Sequence, residues 1–103
     1  MPYKRALSVE LRQAGLTVEL EVPFELFYLG ERIGRYCADL VVERTLIVEV
    51  KTGPSLDSAA IPQLLNYLNI TRLPLGLVLF FGLQPKVKRV IRDSTREFPV
   101  RSR

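Results

Sequence analysis

The segment LIVEVKTG, residues 46–53, joins a buried-strand pattern to two charged residues. Its apolar residues, the last of them Val50, are those expected of a strand in the interior of a sheet. Glu49 and Lys51 interrupt the apolar run two positions apart, so they project from the same face of the strand. Charged side chains are rarely buried unless they are paired, so the pattern indicates that these two meet a partner or a ligand inside the fold.

Length and composition limit the classes of protein that this chain can represent. Its 103 residues suffice for one domain with a single modest core, and 48% hydrophobic with 25% charged residues is a globular composition. No apolar run approaches the roughly 20 residues that span a bilayer, and the first residues lack the apolar region of a signal peptide, so we expect a soluble cytoplasmic protein. With Cys37 as the only cysteine and no histidine, an internal disulfide and a histidine-based triad or zinc site are excluded.

Positive charge is concentrated near the C-terminus. Residues 84–103 contain seven Lys or Arg against two acidic residues, whereas the first 83 contain eight against nine. A basic end on a nearly neutral body suits a polyanion such as nucleic acid, although a solubilising flexible end is an equally good explanation of charge alone. The basic residues predicted to contact the phosphate backbone are Lys86, Lys88, Arg89 and Arg92.

Periodicity and turn residues predict one domain over residues 1–92, followed by a basic, flexible tail over residues 93–103. The predicted elements, in the order α-β-β-β-α-β-β, cover residues 3–14, 17–29, 33–42, 46–51, 58–71, 75–81 and 87–91. Pro23 indicates an edge position or a bulge for the first strand, and Asp57 or Ser58 can cap the second helix. This order predicts an α/β fold built on a mixed central sheet flanked by helices.

The hairpin formed by the second and third strands brings a second acid close to Glu49. If residues 43–45 form a three-residue loop, Val42 faces Leu46, and Asp39 then faces Glu49. Directly opposite residues have Cβ atoms about 4.5–5.5 Å apart, where like charges are destabilising. The two carboxylates therefore need a compensating cation.

A divalent metal is one such cation. Mg²⁺ accepts oxygen from one or two carboxylates together with waters and phosphate, and the Val50 carbonyl is a further candidate ligand beside Asp39 and Glu49. Lys51 on the face of Glu49 can orient or deprotonate the attacking water, or neutralise phosphate charge, so a site for metal-dependent phosphodiester hydrolysis explains all three charged residues. The simpler alternative is a partly buried salt bridge between Lys51 and one of the acids.

Asp39, nine intervening residues and Glu49-Val50-Lys51 resemble the D…(E)xK signature of the PD-(D/E)XK nuclease superfamily. Over residues 3–91 the sequence also resembles the small GxxExxY-type proteins, also called GxxExxER proteins. The segments that carry this resemblance are PYKRALSVELRQAGL, VPFELFYLGERIGRYCADLVVE, LIVEVKTG, QLLNYLNITRLPLGLVLFFG and VKRVI. The resemblance implies a restriction-endonuclease-like αβββαβ core and a Mg²⁺- or Mn²⁺-dependent nuclease that acts on DNA.

The resemblance also assigns roles on the two helices. Gln63 and Tyr67 match a QxxxY element in which the glutamine holds the active-site lysine or the substrate backbone and the tyrosine supports the DNA contact. The alternative is that Tyr67 packs at the edge of the core and Gln63 is solvated. The family pattern has a first-helix glutamate three residues before the tyrosine matched by Tyr3, so the sequence either starts too late or lacks that ligand. Glu10, about two turns further along, is a poor substitute.

Three functions follow from these observations. The first is a metal-dependent nuclease that uses Asp39, Glu49, Lys51, Gln63 and Tyr67. The second is a catalytically inactive nucleic-acid-binding domain on the same fold, which the missing first-helix glutamate favours and which predicts salt-sensitive binding without metal. The third is an oligomeric interaction module whose apolar strands bury against another chain. A homodimer is compatible with all three.

Overall fold

A computed structural model describes residues 2–92 and 100–102, which form two helices and six strands. The elements are α1 (Pro2–Gln13), β1 (Val18–Tyr28), β2 (Glu31–Val42), β3 (Leu46–Thr52), α2 (Ala60–Thr71), β4 (Leu75–Phe81), β5 (Lys86–Ile91) and β6 (Val100–Ser102). The strands form one sheet in the order β5-β4-β3-β2-β1-β6. β3 and β4 are parallel and the other pairs are antiparallel, so the predicted mixed α/β fold is confirmed.

One helix covers each face of the sheet. Leu7 and Leu11 of α1 pack on an α1-side cluster composed of Val18, Leu40, Val42, Val48 and Val50. Leu64 and Leu68 of α2 belong to an α2-side cluster with Tyr36, Ala38, Val41, Ile47, Val78 and Val90. A Cβ at Gly76 of β4 would lie 2.8 Å from a Leu64 methyl carbon, so the absence of a side chain there lets α2 approach the sheet closely.

The β2–β3 hairpin has the predicted three-residue connection. Val42 pairs with Leu46, and the Thr45 N–H donates to the Val42 carbonyl at 3.0 Å. Glu43 and Arg44 both adopt left-handed backbone conformations, with φ of 53° and 54°. Such conformations are unfavourable for residues other than glycine. Two hydrogen bonds to Thr17 hold Glu43. The Glu43 N–H donates to the Thr17 carbonyl, and the Thr17 N–H donates to the Glu43 carboxylate, both at 2.8 Å.

β1 and β2 change faces in the middle of the hairpin that they form. Leu20 packs against the α1-side cluster and Leu40 belongs to it, whereas Val22 and Ala38, two residues away in each strand, lie in or against the α2-side cluster. Between them, Glu21 has a left-handed φ of 53°. The pairing register is the same on both sides of this point, so the switch comes from local twisting and not from a slipped register.

Two expectations about local structure have different outcomes. Among the described residues, Pro23 has a pairing partner only on β2, because β6 pairs with Leu26–Tyr28 further along β1. The predicted edge position is therefore confirmed. The predicted cap of α2 is wrong: its N-cap is Ala59, with no side-chain cap. Asp57 instead accepts the Ala59 N–H at 2.9 Å and so stabilises the turn before the helix.

The C-terminal prediction falls largely outside the described residues. Residues 93–99 and 103 of the predicted basic tail lie beyond them, and residues 100–102 form β6 against the end of β1. Neither α1 nor α2, the two helices that the structure describes, is long and apolar enough to cross a membrane.

Candidate functional site

Asp39 and Glu49 lie where β2 and β3 stop pairing through their backbones. The ladder between these strands ends at the Leu40–Val48 pair. Beyond it, each acid accepts a backbone N–H of the opposite strand: Glu49 Oε2 from Asp39 at 3.1 Å, and Asp39 Oδ2 from Val50 at 2.8 Å. The carboxylates thus replace missing ladder bonds. The two acids lie close together, but they are not the directly opposed pair that the register predicts, because Asp39 turns towards Lys4 of α1 and Glu49 towards Tyr36 of the α2-side cluster.

Glu49 lies in a buried environment of neutral donors. Its residue exposure is 9%, and the Tyr36 hydroxyl donates to Oε1 at 2.6 Å. Burial raises the pKa of Glu49 to about 7, with the negative charge of Asp39 adding to the rise and the bonds from Tyr36 and the Asp39 N–H opposing it. Burial and the adjacent Glu49 raise the pKa of Tyr36, so Tyr36 remains a neutral donor.

Tyr67 reaches this site through Tyr36. The two rings stack with centroids 3.6 Å apart and planes 10° from parallel, and the centroid of the Phe24 ring lies 6.0 Å from that of Tyr36. Stacking fixes the ring whose hydroxyl bonds Glu49. The sequence analysis did not identify Tyr36; a tyrosine at a buried strand position, which needs a partner for its hydroxyl, is the signal that could have identified it.

Lys4 of α1 is a second residue that the sequence analysis missed. Its ammonium lies 3.2 Å from Asp39 Oδ1 and 3.7 Å from Glu21 Oε2, and the Lys4 side chain is only 16% exposed. Burial disfavours the charged ammonium, but the hydrogen bond and charge of Asp39, together with Glu21, outweigh this and raise the pKa of Lys4. The nearest signal in the sequence is its position next to Tyr3, the residue that matches the family tyrosine.

Lys51 does not form the salt bridge that residue types alone allow. In the part of the chain that the structure describes, it has no ion pair with Asp39 or Glu49. It lines a cavity of about 300 Å³ between the end of β3 and the start of α2, and Gln63 lines the same cavity. An ammonium without an ion pair among the described residues and an exposed amide therefore border the same cavity.

The four basic residues predicted to bind nucleic acid separate into two groups. Lys86 and Lys88 are exposed on β5. Across β4, Lys86 is aligned with Lys51 of β3, and Lys88 is aligned with Glu49. Aligned side chains project from the same face of the sheet, and those on strands two apart are separated by about 10 Å. Arg89 alternates to the other face, and Arg92 Nε is buried without a hydrogen-bond partner among the described residues. The structure thus places Lys86 and Lys88, but not Arg89, on the face of Lys51.

The donor set fits a hard divalent cation only in part. Across residues 2–92 and 100–102, no group of three or more Asp, Glu, His or Cys side chains is placed to hold a metal ion. Asp39 and Glu49 provide two carboxylates, and Mg²⁺ commonly uses one or two, with waters and substrate phosphate completing the coordination. Glu10, the remaining first-helix acid, is exposed on α1. The residues present are therefore compatible with a metal that depends on water and substrate.

Comparisons with known proteins give the family. The chain is similar, at 17% identity and a TM-score of 0.65, to a solved structure titled "Crystal structure of SSO0001"; the similarity covers 87% of this chain and 48% of that one. This chain thus spans about half of that protein's length, and such a likeness shows the fold alone. No curated protein matches the sequence. The family model of the PD-(D/E)XK nuclease superfamily matches residues 1–92. The chain belongs to the PD-(D/E)XK nuclease superfamily.

Proposed function

We propose that this protein is a Mg²⁺- or Mn²⁺-dependent nuclease of the GxxExxY type that hydrolyses phosphodiester bonds in DNA. The observation that carries the proposal is the convergence of Asp39 and Glu49 at the end of the β2–β3 ladder, with Lys51, two residues after Glu49 on the same strand, lining a cavity. The superfamily match supports a nucleic-acid substrate. Within residues 2–92 and 100–102, Lys51 neither forms an ion pair nor belongs to a hydrophobic cluster.

Asp39 and Glu49, with the carbonyl of Val50, would hold the metal. When bound, a divalent metal supplies Lewis-acid stabilisation of phosphate charge and lowers the pKa of a water molecule. The strand ends position the two acids rigidly, because each carboxylate is fixed by an N–H of the neighbouring strand. Tyr36 positions Glu49 by its hydrogen bond, and Tyr67 positions Tyr36 by stacking.

Lys51 and Gln63, which line the same cavity, would both contact the substrate. The Lys51 ammonium neutralises phosphate charge or orients the attacking water, and the Gln63 amide donates to the DNA backbone or holds Lys51. Lys86 and Lys88 extend the same basic face towards the sheet edge, where they bind flanking phosphates. In this proposal, the scissile phosphate would lie between the acids and Lys51.

Cleavage of a labelled DNA duplex and a single strand in Mn²⁺ and Mg²⁺ tests the proposal. We expect Asp39→Asn and Lys51→Met each to reduce the cleavage rate by at least about 100-fold, because each removes a group that acts on the reacting phosphate. Glu25→Gln is the matched control: it removes an acid from β1 that pairs with Arg32 at 3.5 Å, remote in the hairpin from Asp39. Wild-type protein that cleaves neither substrate, or variants that cleave as wild type does, would contradict the proposal.

A second candidate function is metal-independent nucleic-acid binding. The Lys4 ion pair favours it, since Asp39 already has a cationic partner within the chain. This function predicts DNA binding that persists in EDTA, weakens steeply with salt, and is reduced by Lys86→Gln and Lys88→Gln. Fluorescence anisotropy with and without EDTA distinguishes the two functions, because a nuclease site that needs metal to hold the scissile phosphate should bind more tightly when Mn²⁺ is present.

A further inference from the structure

We propose that Lys4 is a built-in competitor of the divalent metal at Asp39, so that the ammonium must leave this carboxylate before a metal can bind there. The inference rests on the proposed metal-dependent function. It concerns Lys4, a residue of α1 to which neither the D…(E)xK signature nor the QxxxY element assigns a role.

All four oxygens of the two acids accept donors from the chain. Glu49 accepts from the Tyr36 hydroxyl and the Asp39 N–H, and Asp39 Oδ2 accepts from the Val50 N–H. Asp39 Oδ1 is the remaining oxygen, and the Lys4 ammonium bonds it at 3.2 Å. Lys4 is the one charged donor of these four. A cation that approaches Asp39 Oδ1, the oxygen that accepts no backbone N–H, therefore meets the positive charge of the Lys4 ammonium.

The first turns of α1 are anchored on both sides of Lys4. The Tyr3 ring stacks on Phe81 with centroids 4.6 Å apart and planes 3° from parallel. Leu7 packs against the α1-side cluster, and the buried Ser8 hydroxyl donates to the Arg5 carbonyl at 2.7 Å. Because the helix is held at these points, Lys4 can leave Asp39 by rotation of its side chain without undocking α1.

Glu21 provides a second partner for the displaced ammonium. Glu21 lies between the Leu20–Leu40 and Val22–Ala38 pairs of the β1–β2 ladder, at the level of Asp39. It has the left-handed φ of 53° found where the side chains of β1 change from one face of the sheet to the other. Its carboxylate is already 3.7 Å from the Lys4 ammonium and 54% exposed. Movement of Lys4 from Asp39 towards Glu21 keeps the ammonium paired. Displacement is therefore reversible, and Lys4 weakens metal binding.

Mn²⁺ binding to the full chain tests this inference without any activity assay. Free Mn²⁺ is measured by electron paramagnetic resonance during titration of the wild type, Lys4→Met, Lys4→Gln and Lys4→Arg. We expect the two neutral variants to bind Mn²⁺ about fivefold to tenfold more tightly than the wild type. Lys4→Arg should bind within about threefold of the wild type, since it keeps the charge.

Arg5→Met is the matched control. It removes one positive charge from the neighbouring position of the same helix, and Arg5 pairs with Glu21 at 3.8 Å but not with Asp39. General loss of charge would raise the affinity for Mn²⁺ equally in Arg5→Met and Lys4→Met. Direct competition raises it much more in Lys4→Met, because Arg5→Met only frees Glu21 as a partner for Lys4. Adding Asp39→Asn to Lys4→Met should remove the gain. Thermal unfolding of each variant identifies a substitution that fails to fold, and Lys4→Gln then replaces Lys4→Met.

The outcomes separate the inference from the proposed function. Wild-type binding with no gain in either neutral Lys4 variant overturns the inference and leaves the metal-dependent function standing. Binding by the neutral Lys4 variants but not by the wild type supports the inference and contradicts metal-dependent activity of the natural sequence. Absence of Mn²⁺ binding in every protein overturns both. An equal gain in Arg5→Met also overturns the inference, because it assigns the effect to net charge.

Discussion

The Asp39 and Glu49 sides of the site neutralise their carboxylates in different ways. Asp39 faces α1, its side chain is 27% exposed, and it pairs with the Lys4 ammonium. Glu49 faces the α2-side cluster, is 9% exposed, and accepts only from a phenol and a backbone N–H. Two acids on adjacent strands thus coexist because one has a cation of the chain and the other retains a proton near neutral pH.

This difference shows how a pair of acids can be kept on adjacent strands while no metal is bound. Repulsion between them is reduced on one side by an ion pair and on the other by protonation, so the pair carries less than two negative charges at pH 7. The ion pair depends on Lys4, whereas protonation depends on the burial of Glu49 and is opposed by the hydrogen bond from Tyr36. Each can be removed separately, which allows the two sides to be compared by measurement.

Removal of Tyr36 should have the largest effect on stability. Tyr36→Ala deletes a buried ring that stacks on Tyr67 and bonds Glu49, so we expect the free energy of unfolding to fall by about 3–4 kcal/mol. Urea denaturation measures this loss. Tyr28→Ala, at an exposed tyrosine of β1, is the control and should cost much less. Similar losses in the two variants would show that the Glu49 side is not a specific packing unit.

The raised pKa of Glu49 should make stability depend on pH. Between pH 4.5, its ordinary pKa, and about 7, the folded protein keeps a proton that the unfolded chain releases, so the wild type loses stability as pH rises. Relative to Glu49→Gln, which has no such proton to lose, the wild type should lose on the order of 1–3 kcal/mol across this range. Urea denaturation at several pH values measures the free energy of unfolding of both proteins. If the difference between them did not change with pH, Glu49 would not have the raised pKa that its burial predicts.

Tyr36→Phe isolates the hydroxyl from the ring. It keeps the stacking on Tyr67 but leaves Glu49 Oε1 without its donor, so we expect a loss of about 1 kcal/mol in the free energy of unfolding. Because the hydroxyl favours the ionised carboxylate, its removal should also raise the pKa of Glu49 further. Urea denaturation of Tyr36→Phe and Tyr36→Phe/Glu49→Gln at several pH values measures both effects. An unchanged pH dependence would show that Tyr36 supports Glu49 only by packing.

Lys4→Met should have the smallest effect on stability. Loss of its pair with Asp39 is expected to lower the free energy of unfolding by about 0.5–1 kcal/mol, and by less in high salt, because the pair is partly exposed and screened. Urea denaturation at low and high NaCl measures this difference. A larger loss, independent of salt, would indicate that Lys4 contributes mainly through packing of its aliphatic stem.

The sequence predicts which residues lie close together on strands that are neighbours in the chain. The three-residue connection after Val42 sets the register of the β2–β3 hairpin, and this register brings Asp39 to Glu49. Local spacing and turn length suffice for this relation. Lys51 is predicted from its position on the strand and Gln63 from the family resemblance, and both line one cavity in the structure.

The remaining contacts depend on tertiary packing that local patterns do not encode. Alternation in β1 predicts one face for its even-numbered residues, but the left-handed Glu21 moves those that follow it to the other face. A glycine usually indicates such a conformation, and none is present there. Lys4 meets Asp39, 35 residues away, only because α1 docks on the sheet. Tyr36 appears in the sequence as an ordinary strand residue, and its bond to Glu49 requires the fold.

The position of β5 has a consequence for solubility. Among the described residues it pairs only with β4, so its outer backbone groups are open to another chain. Edge strands of this kind can recruit strands of neighbouring molecules, and lysines along them oppose aggregation. Lys86 and Lys88 therefore protect this edge whatever they bind. Neutral variants made to test DNA binding will also favour aggregation, and light scattering beside each anisotropy measurement separates lost affinity from lost soluble protein.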